Sequence, residues 1–155
     1  MLKYLTFSLA MLAILTSFSF PVQAKVATWE QVGNWSVFGS TNSNSCYATV
    51  EYHSGRTLMI AFSKDMTSFM IMGLQVNPGQ TYKAVVTAST GAAGVMEAFA
   101  GDAQSVAFMD VNQETIKALA NSRDIYIQGL GTFELTGSKR AMASAWHCYE
   151  ALNSI

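Results

Sequence analysis

From residue 35 onward, short apolar runs alternate with clusters of Gly, Asn, Ser and Asp. That is the pattern of strands joined by turns. Residues 35–38 predict a first strand, and the polar stretch 39–45 a loop. Residues 46–53 alternate, with Cys46, Ala48, Val50 and Tyr52 on one side and Tyr47, Thr49, Glu51 and His53 on the other. A period of two with one more polar side predicts a half-buried strand. The turn 54–56 then joins it to a strand over 57–63, giving a hairpin. Residues 69–76 (FMIMGLQV) are apolar on both sides and predict a central strand. Asn77-Pro78-Gly79-Gln80 is a turn, with Pro pre-set for its second position and Gly able to take positive φ. Residues 82–88, 95–100 and 105–109 predict further strands, with a turn bracketed by Gly91 and Gly94.

The period then lengthens. Asp110 followed by Gln113 reads as a capping box with Asp110 as N-cap. Ile116, Leu119 and Ala120 fall on one face of a helix ending near Asn121. Two short strands, 124–128 and 132–135, flank Gly129-Leu130-Gly131. Ser138 is placed to cap a last helix to about Leu152, with Met142, Ala145, Trp146 and Tyr149 on one face and Cys148 at its border. The expected fold is mainly β with two helices (α+β): an antiparallel β-sandwich or curved sheet, with the C-terminal helix packed on it.

The N-terminus follows different rules. Lys3 is the only charge before Lys25, and residues 4–20 are apolar apart from Thr and Ser. Pro21-Val22-Gln23-Ala24 ends that run with small residues at the −3 and −1 positions of a cut between Ala24 and Lys25. These are the three parts of a secretory signal. A membrane anchor is the rival, but a span needs about 20 apolar residues, and this run is shorter and diluted by hydroxyls. The expected organisation is a signal peptide over 1–24 and one exported β-rich domain over 25–155, periplasmic or secreted, with no stable membrane anchor after cleavage.

Export changes the reading of the two cysteines, Cys46 and Cys148. In an oxidising compartment an isolated pair reads first as a disulfide. A catalytic or metal-binding thiol is the alternative, without the C-x-x-C spacing of a thioredoxin-type site. The bridge would close a loop of about 100 residues and staple the last helix to the sheet.

Composition narrows the partners. Charged residues are 12% of the chain and its formal charge is −1. Loss of Lys3 with the signal makes that −2. Nucleic-acid binders carry a basic excess that is missing here, so no nucleic-acid partner is expected.

Several segments resemble the invasion-associated locus B family of exported bacterial proteins. They are Gly33-Asn34-Trp35-Ser36-Val37, Cys46 opening the next strand, Leu58-Met59-Ile60, and Phe133-Glu134-Leu135-Thr136-Gly137-Ser138 leading into Ala141. The chain departs from that family in lacking a mid-chain cysteine pair. The resemblance implies a β-sandwich of periplasmic or secreted type that associates with surfaces or partners rather than catalysing a reaction.

Candidate chemistry is sparse. His53 ends a strand, and His147 precedes Cys148 on a helix, where adjacent side chains diverge by about 100°. Neither spacing suits zinc. Met66, Met70 and Met72 would offer thioethers to Cu(I), although methionine also fills cores. Glu97, Asp102 and Asp110 are carboxylates with no fixed separation. No catalytic or nucleotide-binding motif is present, so neither catalytic residue, resident metal nor cofactor is expected. Lys139 and Arg140 stand out because they open the last helix, where the macrodipole disfavours cations; there they could hold an anionic partner. The expected function is a soluble, non-enzymatic binding or interaction protein for an unidentified protein or small ligand. The alternatives are a small hydrolase or enzyme inhibitor and, third, a Met-based Cu(I) binder.

Overall fold

A computed structural model describes residues 26–154. The export segment and its cut between Ala24 and Lys25 lie outside the described residues. Ten strands form one antiparallel sheet: β1 Val26–Val32, β2 Trp35–Ser40, β3 Ser45–Glu51, β4 Thr57–Phe62, β5 Thr67–Met72, β6 Thr81–Ala88, β7 Ala93–Phe99, β8 Ser105–Phe108, β9 Asp124–Ile127 and β10 Gly131–Glu134. Helix α1 (Gln113–Asn121) lies between β8 and β9, and α2 (Ser138–Asn153) closes the described chain. The fold is α+β, as the pattern predicts, and it is the curved-sheet form of that expectation.

Spatial order is β1-β2-β3-β4-β5-β8-β7-β6-β9-β10. The first five strands follow chain order as hairpins. The next three run backwards, because β8 rather than β6 pairs with β5. Backbone bonds from Leu74 to the Gln104 carbonyl and from Val76 to the Ala103 carbonyl prolong that pairing beyond β5.

One row of side chains fills the core. Trp35 faces Val50, Val37 faces Ala48, and Gly39 faces Cys46 across β2–β3. The row continues through Leu58, Ile60 and Phe62 on β4, Phe69 and Ile71 on β5, and Val106 and Phe108 on β8. All are buried. Phe69 and Phe108 stack with ring centroids 4.2 Å apart. Each large aliphatic or aromatic side chain so buried contributes about 1.5–3 kcal/mol. The predicted alternation of β3 is therefore the alternation of the whole half-sheet.

The sheet curls until its last strands meet the β3–β4 hairpin. Tyr52 donates from its hydroxyl to the Glu134 carbonyl at 2.7 Å. Its ring meets Phe133 edge-on at 5.6 Å. Arg56 donates to the Leu130 carbonyl and lies over the Phe133 ring. Trp35 Nε1 donates to the Thr136 carbonyl at 2.9 Å, so a fully buried indole leaves no polar atom unpaired. Helix α2 lies against β2, β3 and β4, and α1 packs on α2.

Three local expectations need correction, and one strand was not foreseen. Asp110 is not the cap of α1. It takes a left-handed φ of 52°, and the next residue, Val111, still donates to the Thr67 carbonyl at 2.8 Å. That bond holds the chain to β5 for one residue more, so the helix starts later. Asn112 is the cap, and its side-chain oxygen accepts from the Thr115 amide at 2.8 Å. Ser138 does not cap α2 either. Gly137, at φ 87°, takes the cap position, and the buried Ser138 hydroxyl donates to the Leu119 carbonyl at 3.2 Å, joining the two helices. The central strand expected over 69–76 stops at Met72, because Gly73 turns the chain at φ 78° beneath Gly55. Strand β1 was not expected. Six of its seven residues are exposed, so no buried side carries an alternating signal.

Candidate functional site

Three elements meet beside the core to form a groove of about 630 Å3. The β4–β5 turn is one wall. It is closed by the Ser63 amide and hydroxyl, both donating to the Met66 carbonyl at 3.1 and 2.9 Å, which leaves Lys64 and Asp65 exposed. Helix α1 supplies Ile116, Lys117 and Ala120. Helix α2 supplies Lys139, Met142, Ala143 and Trp146, which recur at three- and four-residue intervals and so form one stripe.

The floor is apolar. Phe62 ends β4 and meets Trp146 edge-on, with ring centroids 5.8 Å apart. Tyr149 meets Trp146 at a tilt, with ring centroids 5.4 Å apart. Trp146 is nevertheless 45% exposed, while Met142 and Ala145 are buried. The expected apolar face of α2 is thus split. Its inner part reaches the core, and its outer part opens onto the groove. The groove is also lined by three exposed lysines, Lys64, Lys117 and Lys139, and by one exposed carboxylate residue, Asp65. The ion pairs among the described residues are Lys83–Glu97 and His147–Glu150, and they involve none of these lysines.

Of the two residues expected to hold an anion, Lys139 lines this groove and Arg140 does not. Both are exposed. Cys46 and Cys148 are fully buried and within bonding distance, with Cα atoms 6.0 Å apart. Cys148 lies between Trp146 and Tyr149 in sequence, so the bridge fixes the helix segment that carries the groove's aromatic rings. Gly39 makes room for it. A Cβ there would stand 3.1 Å from Cys148 Sγ and 3.6 Å from Cys46 Sγ.

The remaining candidates do not gather as a site of their own. His53 is exposed just beyond β3, whereas His147 lines the groove from α2, with its Nδ1 3.4 Å from a Glu150 carboxylate oxygen. Met66 lines the groove. Met70 and Met72 share the outward side of β5, and Met70 faces Met59 across the ladder. Among the described residues no three His, Cys, Asp or Glu side chains gather as a metal site. Asp102 accepts from the Gln104 amide at 2.7 Å. That bond, then the Ser105 hydroxyl, lowers its pKa below the ordinary carboxylate value. Glu97 and Asp110 line a second cavity, of about 520 Å3, between the β6–β7 hairpin and α1. Glu97 is already paired there with Lys83 at 3.4 Å. No described helix is long and apolar enough to cross a membrane.

Phe62, Lys64, Ile116, Lys117 and Trp146 are functional candidates that sequence reasoning passed over. The one local signal was Trp146, a large aromatic ring on the apolar face of the last helix.

No protein-family model matches the chain, and no curated protein or solved structure matches it significantly.

Proposed function

We propose that this is an exported, non-enzymatic binding protein of the bacterial periplasm or cell exterior, and that the groove between α1, α2 and the β4–β5 turn is its ligand site. One observation carries the reading: an apolar floor with a half-exposed Trp146 at the junction of three elements. Contiguous apolar surface in a concave site marks ligand grooves, and here Trp146 adjoins Phe62, Ile116 and Met142 in a groove whose size suits a small molecule. The buried cysteine pair fits an oxidising compartment. The segments resembling the invasion-associated locus B family support the same reading.

The test is a titration with N-phenyl-1-naphthylamine, an uncharged apolar fluorophore. Saturable one-to-one binding is expected. Ala143, exposed in the groove, offers a block. Ala143→Trp should weaken binding at least tenfold without lowering the melting temperature. Binding that does not saturate, or that ignores Ala143→Trp, refutes the site. Export is tested separately by intact mass, which should correspond to a chain beginning at Lys25; a chain retaining residues 1–24 refutes it.

A further inference from the structure

We infer that the groove takes a single anionic amphiphile: an alkyl or aryl chain with one carboxylate or phosphate head. This rests on the groove being a ligand site, and it specifies the class of ligand.

Charge is the first argument. With the signal removed, the exported chain carries a formal charge of −2, one less than the −1 of the whole sequence. The groove reverses that sign. Lys64, Lys117 and Lys139 outnumber Asp65 in its lining. The three come from a turn and two different helices, so their proximity is a product of the fold and not of a basic run in the sequence. None of them has a carboxylate partner among the described ion pairs. An anion entering a groove lined by three lysines and one aspartate meets a net positive field.

The second argument is the division of the site. The apolar lining (Phe62 and Met142 buried, Ile116 and Trp146 partly exposed) stands beside lysines that are exposed to water. A purely polar anion would leave that surface wet, and a purely apolar ligand would leave the ammoniums uncompensated. A molecule with an apolar body and one anionic end matches both. Lys139 also stands in the first turn of α2, where the positive end of the helix adds to the same preference.

The third argument concerns scale. At about 630 Å3 the groove falls in the range of sites for one small molecule. Adsorption to an anionic membrane would need a broad basic plane, and the net negative chain opposes it. The occupant is therefore one dissolved molecule and not a lipid surface.

The experiment uses the purified, disulfide-bonded chain and three ten-carbon probes below their micelle concentrations: decanoate, 1-decanol and decyltrimethylammonium. Binding is read by calorimetry or by Trp emission in a Trp29→Phe background, where the groove's Trp146 and the buried Trp35 remain. Decanoate should bind about tenfold tighter than the alcohol, and the cation more weakly than either. Lys64→Gln, Lys117→Gln and Lys139→Gln should each weaken decanoate by about threefold, and together by about tenfold or more, with alcohol binding unchanged. Salt at 0.5 M should weaken decanoate alone.

If alcohol and decanoate bind equally and the lysine variants change neither, the anionic inference is overturned while the groove stands. If none of the probes binds, and the naphthylamine does not bind either, the ligand site itself is refuted. Co-sedimentation with phosphatidylglycerol vesicles but not phosphatidylcholine vesicles would overturn the single-molecule occupant in favour of a lipid surface.

Discussion

Removing the Cys46–Cys148 bridge should cost this domain a large share of its stability. The proper variant is Cys46→Ala/Cys148→Ala, because a single substitution leaves an odd thiol. The cysteines are 102 positions apart, so most of the domain lies inside the loop. Loop-closure entropy for such a span gives about 4–5 kcal/mol, and measured losses are more often about 2–4. A smaller packing term adds to this. Both sulfurs are fully buried, and Gly39 beneath them has no side chain to move into the space. Leaving that space open costs about 1 kcal/mol more. The expected total is about 3–5 kcal/mol, or roughly 12–20 °C in melting temperature for a domain of this size. Urea unfolding followed by circular dichroism and Trp fluorescence measures it. The denaturant slope should also rise, because the unlinked denatured chain exposes more surface. A loss below 1 kcal/mol with an unchanged slope would refute the reasoning. The bridge would then constrain neither the denatured chain nor α2.

Two further expectations concern the closure of the sheet. Burial, then the Glu134 carboxylate, raises the Tyr52 hydroxyl pKa above its ordinary value of 10.0. The folded state therefore favours the neutral phenol, and that contribution is present below about pH 10 and lost as pH rises beyond it. Tyr52→Phe should lose about 1 kcal/mol at neutral pH with its 2.7 Å bond, yet decline less steeply in alkali; parallel stability curves above pH 10 would contradict this. Gly73 and Gly55 have nearly equal φ, 78° and 79°, but a Cβ on Gly73 would lie 2.4 Å from the Gly55 carbonyl oxygen, while one on Gly55 meets nothing within 4 Å. Gly55→Ala should cost about 1–2 kcal/mol of backbone strain and Gly73→Ala distinctly more; equal losses in urea titrations would show that the close approach is unimportant.

Much of the local structure was legible in the sequence. The alternation Cys46, Ala48, Val50 marks the buried side of β3, because successive strand residues point to opposite faces whatever the neighbours are. The Asn77-Pro78-Gly79 turn and the two helices follow equally local rules. Two cysteines in the chain allowed only one intramolecular pairing, and helix α2 is where that pairing acts.

Position in space was another matter. The bond from Val111 to Thr67 moved the cap of α1 from Asp110 to Asn112, and no local preference records a partner that far away. The sequence allowed a sandwich as readily as a curled sheet. Tertiary pairing chose the latter by setting β8 against β5 and folding Phe133 onto Tyr52. The groove belongs wholly to that second level. Lys139 drew notice for opening a helix, but Lys64 and Lys117 are unremarkable solvated lysines in sequence. Periodicity reports which side of an element is apolar, and only the packing of three distant elements decides which charges stand together beside an apolar floor.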